Sequence, residues 1–130
     1  MRSKTILVIE DEIPLLDAVK KKLENNGMSV VTARSVNQAL AYLDDLENVD
    51  GIWLDHYLLG NENGIDLVTL LKGDESQWKH IPIFVVSNTA SEDKVKLYMQ
   101  LGIDKYFVKS NYRLDQIIQV LKECLYEKSE

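Results

Sequence analysis

A doubly wound α/β fold, with one parallel sheet covered by helices on both faces, follows from three features of the sequence. Short apolar runs rich in β-branched residues alternate with longer segments of helical period, five times in succession. The first run is unbroken apolar from Ile6 to Ile9, as a strand buried on both faces must be. No linker, repeat or low-complexity stretch interrupts the series. This predicts a single domain over residues 1–130, with its core over about 4–127.

The elements follow in order. Thr5 to Ile9 forms the first strand. Pro14 suits the first turn of a helix whose apolar face carries Leu16, Val19 and Leu23, until Asn26-Gly27 stops it. Ser29 to Ala33 is the second strand, and Ser35 caps a helix bearing Ala39, Leu40 and Leu43 on one face. Gly51 to Leu54 is the third strand. Ile65 to Lys72 is the third helix, with Leu67, Leu70 and Leu71 expected inward. Pro82 opens the fourth strand, Ile83 to Val86. Ser91-Glu92-Asp93 starts a helix that ends at Gly102. Tyr106 to Val108 is the fifth strand, and Leu114, Ile117, Ile118, Leu121 and Leu125 make the stripe of a last helix.

Composition narrows the function classes. With 130 residues, 45% of them hydrophobic and 28% charged, the chain can bury a core without disulfides or a structural metal. Cys124 is the only cysteine, so no internal bridge forms and nothing points to an oxidising compartment. No apolar run approaches the roughly 18–20 residues of a membrane span, and no signal-peptide pattern opens the chain. A cytoplasmic protein without a membrane partner is expected. The formal net charge of −6 lacks the basic footprint of a nucleic-acid binder, and Lys20 to Lys22 read as the wet face of a helix. His56 and His80 lack zinc-ligand spacing, Trp53 and Trp78 read as packing residues, and Cys124 as a half-buried one.

In doubly wound folds, chemistry gathers at the carboxyl ends of the strands. Glu10, Asp11 and Glu12 follow the first strand, Asp55 the third, Ser87-Asn88-Thr89 the fourth and Lys109 the fifth. The second ends without charge, in Ala33. Two unit charges about 4 Å apart repel by roughly 4 kcal/mol at an effective dielectric near 20. Converging carboxylates therefore either hold a proton or collect a cation. An all-oxygen site with room for water suits Mg²⁺, or Mn²⁺. Such an ion also favours arrival of a phosphoryl group, which a carboxylate nucleophile can accept as an acyl phosphate. Lys109 and the Ser87 hydroxyl are the right types to hold the remaining phosphoryl oxygens. Taken alone, Glu10-Asp11-Glu12 also reads as charge at a helix start, and Asp55 as a turn residue.

The set "ILVIEDE", "IWLDHYLL", "PIFVVSNTA" and "YFVKS" resembles the receiver domain of bacterial two-component response regulators, the CheY-like family, over nearly the whole chain. The resemblance implies a flavodoxin-like sheet in strand order 2-1-3-4-5. It implies that Asp55 takes a phosphoryl group from a sensor histidine kinase or histidine phosphotransfer protein. It implies a metal site of Asp11, Asp55, the Tyr57 backbone carbonyl and, through water, Glu10. Ser87 and Lys109 match the family's phosphate-sensing hydroxyl and lysine, and Tyr106 its switch aromatic. Phosphorylation is self-catalysed in this reading, and the protein turns over no external substrate. A phosphorylated Asp55 draws Ser87 and Lys109 inward and turns Tyr106, altering the face of the fourth helix, fifth strand and last helix. That face is also where a homodimer forms. With no residues beyond 130 for an output domain, signalling is expected to pass to an effector in trans.

The chain departs from the family pattern in places. The acidic pair is Glu10-Asp11 rather than Asp-Asp, Leu59 stands where Pro is usual, and Gly64 comes one position late. Ser110 follows Lys109 where the family has Pro across a cis bond. A non-proline cis bond costs about 2.5–4 kcal/mol, so the bond is either sustained by its surroundings or trans. Asn88 replaces a small residue and narrows access to Asp55, while Tyr57 and Thr89 flank the attacking water's path and Tyr57 shields the acyl phosphate.

Three rival functions fit the sequence less well. A nucleotide- or flavin-binding domain needs a glycine-rich turn after the first strand, where "VIEDEIP" offers carboxylates. An aspartyl-nucleophile phosphatase needs a second acid two residues on, where Tyr57 stands. A pseudo-receiver docking module does not need the intact Asp11, Asp55, Ser87 and Lys109.

Overall fold

The computed structural model describes residues 3–89 and 91–126. Five strands, β1 (Thr5–Ile9), β2 (Ser29–Ala33), β3 (Gly51–Leu54), β4 (Ile83–Ser87) and β5 (Lys105–Val108), alternate with five helices. These are α1 (Ile13–Asn25), α2 (Val36–Asp45), α3 (Gly64–Leu71), α4 (Glu92–Leu101) and α5 (Leu114–Tyr126). The sheet runs β2-β1-β3-β4-β5, with every neighbouring pair parallel. The expected class and strand order are both found.

Strand alternation divides the core in two. Leu7, Ile9, Ile52, Leu54, Ile83 and Val85 face one side with Ala39 and Leu43 of α2, Leu67 and Leu71 of α3, and Tyr98 of α4. Ile6, Val8, Trp53, Phe84 and Val86 face the other, against Leu16, Val19 and Leu23 of α1 and Ile117, Ile118 and Leu121 of α5. Each β1, β3 and β4 side chain in this set is at most 1% exposed, so burying them supplies the main driving force for closing both layers.

Local chemistry fixes the helix ends. The Ser35 hydroxyl accepts from the Gln38 N–H, and Ser91 accepts from Lys94 N–H. Asn63 and Asp66 form a reciprocal capping box, which starts α3 at Gly64, one residue earlier than expected. Gly102 ends α4 in the left-handed region at φ 105°. Before α1, Glu12 occupies the cap position without a side-chain bond, while the Glu10 carboxylate accepts the Glu12 N–H at 3.1 Å.

One inward assignment is corrected. Leu70 is 51% exposed, whereas Leu67, Val68 and Leu71 are fully buried. At 100° per residue those three define a single arc, and Leu70 falls about 100° from its centre. Lys20, Lys21 and Lys22 are exposed, as a solvated face requires.

Candidate functional site

The backbone sets the site before any side chain does. Asp55 donates its N–H to the Ile9 carbonyl at 2.9 Å and Glu10 donates to the Ala33 carbonyl at 3.0 Å. These bonds continue the parallel ladders by one step beyond the strands and bring the residue after β1 beside the residue after β3. Ser87 ends β4 and is fully buried, and Lys109 directly follows β5.

Lys109 crosses the gap. Its Nζ lies 2.9 Å from Glu10 Oε1 and 3.4 Å from Asp55 Oδ2, with the three side chains 16%, 1% and 7% exposed. The remaining Asp55 oxygen, Oδ1, is buried and has no hydrogen-bond partner. A cavity of about 200 Å³ opens here, lined by Glu10, Asp11, Asp55, Tyr57, Asn88 and Lys109, among others. A wider cleft of about 520 Å³ against Lys22, Asn26, Asp115 and Gln119 buries none of its ionisable groups.

Electrostatics follow from that packing. Burial pushes the Glu10 carboxyl up to about 7, against the pull of the Lys109 hydrogen bond, and the Asp55 charge pushes the same way. Burial also works against the Lys109 charge, yet the bond to Glu10 and the field of Asp55 outweigh it and raise its pKa. Converging carboxylates therefore meet a cation from the chain itself.

Asp11 stands apart from that trio. Its Oδ1 is 3.3 Å from Arg34 Nη2, and its backbone carbonyl accepts from Arg34 Nε and Nη2 at 3.1 and 3.0 Å. Among the described residues no three carboxylate, imidazole or thiol groups are gathered at metal-ligating spacing. The expected convergence of three carboxylates is thus partial. Asp11 lines the cavity, but its carboxylate is turned to Arg34. The second strand also ends beside a charge after all: Arg34 directly follows Ala33, and reading the residue after the strand, as for the other four, would have found it.

The remaining residues form the rim. Tyr106 is half-buried, with its hydroxyl donating to the Thr89 carbonyl at 2.7 Å. Burial raises its pKa, while a hydrogen bond with Ser87 lowers it. Tyr57 is 55% exposed, and its ring and hydroxyl meet the Lys94 ammonium, at 5.4 Å and 3.4 Å. Asn88 is exposed and lines the cavity mouth. Among the described residues no peptide bond is cis, so Lys109-Ser110 is trans, and a single 3₁₀ turn, Lys109–Asn111, begins there. Lys109 reaches the site without the cis bond.

Comparison with known proteins decides the family. The model of the response regulator receiver domain matches residues 6–122. The chain belongs to this family. The receiver domain is 34% identical over 109 residues to the phosphate regulon transcriptional regulatory protein PhoB of Pseudomonas aeruginosa, covering 84% of this chain and 46% of PhoB. It thus spans less than half of that relative's length. The phosphorylated cyanobacterial phytochrome response regulator RcpA has a similar structure, with a TM-score of 0.81 and 27% identity over 95% of this chain and 94% of RcpA. The Mn²⁺-bound response regulator Rcp1 shares the fold, with a TM-score of 0.81 and 23% identity over 95% of both chains. A receiver domain of two-component signalling, in a flavodoxin-like fold, is what this sequence encodes.

Proposed function

We propose that Asp55 is the phosphoacceptor of this receiver and takes its phosphoryl group from the phosphohistidine of a sensor histidine kinase or a histidine phosphotransfer protein. The observation that carries the reading is Asp55 Oδ1. It is a buried carboxylate oxygen with no partner, on a residue that lines the cavity together with the Lys109 ammonium held at its other oxygen. Leaving such an oxygen unbonded costs about 1–3 kcal/mol, which a fold keeps where the oxygen is used.

In the transfer, a carboxylate oxygen of Asp55 attacks phosphorus in line with the leaving imidazole. The P–O bond forms as the P–N bond breaks, and the imidazole nitrogen keeps the electron pair. Lys109, now shared by Glu10 and Asp55, moves its ammonium onto a phosphoryl oxygen. Ser87, buried one strand away, offers its hydroxyl to another. Tyr106, bonded to the Thr89 carbonyl just past Ser87, reports that movement on the β5 edge of the sheet.

The donor set fits a hard divalent ion. Glu10, Asp11, Asp55 and Tyr57 line one cavity, and their available donors are oxygens. Mg²⁺ or Mn²⁺ held by Asp11, Asp55, the Tyr57 carbonyl and, through water, Glu10 would offset the charge of the arriving phosphoryl group. The chain's part is to free Asp11 from Arg34 and let Lys109 leave the carboxylates. The rest of the reading is that the domain works in the cytoplasm, passes its state to an effector through α4, β5 and α5, pairs with a second copy on that face, and turns over no external substrate.

The test is mass spectrometry after incubation with Mg²⁺ and a small phosphodonor. Wild-type protein is expected to gain about 80 Da, and Asp55→Asn to gain nothing. Equal labelling of both would move the acceptor elsewhere.

A further inference from the structure

The Arg34–Asp11 pair is not explained by fold stability alone. Arg34 is fixed at its backbone from two directions: its N–H donates to Gln38 Oε1 at 2.7 Å, and its carbonyl accepts the Leu59 N–H at 2.9 Å. Leu59 belongs to the loop after Asp55, so Arg34 is tied to the segment that carries the cavity-lining Tyr57. Its guanidinium reaches the loop after β1, through two bonds to the Asp11 carbonyl and one to Asp11 Oδ1. The bonds to the carbonyl hold the loop after β1. The bond to Oδ1 does something else, because it occupies the carboxylate that lines the cavity.

We propose that Arg34 is a positioning residue that sets the affinity of the site for divalent cations: it holds the Asp11 carboxylate, and an ion enters by taking that carboxylate from it. The proposal rests on the metal reading given above. Both partners of the pair are more than a third exposed, so the bond is weak and water-screened. It acts as a competitor that lowers affinity and does not abolish binding. The carbonyl bonds survive the exchange, so Arg34 stays docked and recaptures Asp11 when the ion leaves. Arginine suits this double task, since its planar fork serves a carbonyl and a carboxylate together.

The probe is Mn²⁺, titrated into wild type, Arg34→Met, Arg34→Lys, Asp11→Asn and the Arg34→Met/Asp11→Asn double variant. The signal of free Mn²⁺ is read by electron paramagnetic resonance. Arg34→Met is expected to bind about 1.5- to fivefold more tightly than wild type. Asp11→Asn should bind far more weakly, and the double variant should match Asp11→Asn, because the effect of Arg34 runs through that carboxylate. Arg34→Met that binds like wild type, or more weakly, overturns the proposal and leaves the metal reading standing. Wild type that takes up no Mn²⁺ at millimolar concentration overturns both. Should Arg34→Met fail to fold, wild-type protein decides by nuclear magnetic resonance. The Arg34 Nε–H signal should move on Mg²⁺ addition and saturate with metal binding, and a signal that stays put overturns the proposal.

Discussion

His56 Nδ1 and the Tyr98 hydroxyl lie 2.6 Å apart in the buried layer behind Asp55. His56 is 3% exposed and Tyr98 fully buried. Burial lowers the His56 pKa, with Lys94 adding to it, and burial raises that of Tyr98. The imidazole is thus neutral and the phenol protonated, and the tautomer of the ring sets which of the two donates. This bond links the residue after Asp55 to the middle of α4. Tyr98→Phe is expected to cost about 1–3 kcal/mol, because the bond is lost and Nδ1 is left buried without a partner. Urea denaturation measures it, and an unchanged midpoint would refute the assignment. A Cβ at Gly64 would meet the Tyr98 hydroxyl, so Gly64→Ala should cost less in the Tyr98→Phe background than in wild type.

Lys109→Met removes the cation that Glu10 and Asp55 share while keeping most of the stem. Breaking a buried ion pair by deleting one partner typically costs about 3–5 kcal/mol, since the other charge stays buried. Here two carboxylates would be left facing each other. The loss should be near 3 kcal/mol at about pH 8 and smaller at about pH 5, where Glu10 carries its proton in both proteins. Urea denaturation at the two values checks both size and direction. A loss independent of pH would mean that Lys109 contributes chiefly by packing.

Much of the site could be read from strand ends, and the reason is topological. In a parallel doubly wound sheet every carboxyl end points the same way, so the residues after Ile9, Leu54, Ser87 and Val108 must share a rim. What could not be read was which charge pairs with which. Asp11 and Arg34 are separated by 23 positions, and only the register of β1 against β2 brings them together. The His56–Tyr98 bond spans 42 positions and joins a helix core position to a loop. Tyr98 is core, but its hydroxyl gives no periodic signal. Leu70 failed for a simpler reason: in an eight-residue helix a run of leucines fits more than one inward arc.

The corrected arc predicts a contrast on α3. Leu70→Ser should change stability by no more than about 0.5 kcal/mol, as surface substitutions do. Leu71→Ala, one residue on and fully buried, should cost about 2–5 kcal/mol through lost transfer energy and a cavity. Thermal denaturation of the two variants side by side tests it. Equal losses would return Leu70 to the core.

Glu10 makes the pH dependence specific. Its carboxyl stands at about 7 in the folded protein, well above the ordinary carboxylate range it regains on unfolding. Between those two values the folded state binds the proton that the unfolded state has lost. The stability this group contributes is therefore full below the ordinary value and declines as pH rises through about 7. Glu10→Gln carries no such proton. The difference in urea midpoint between wild type and Glu10→Gln, measured in EDTA from about pH 5 to about pH 8, should move against wild type as pH rises. Saturating Mg²⁺ should oppose that trend, because an ion that draws on Glu10 through water favours its anion. A midpoint difference that stays constant across the range in EDTA would place the Glu10 proton transition elsewhere.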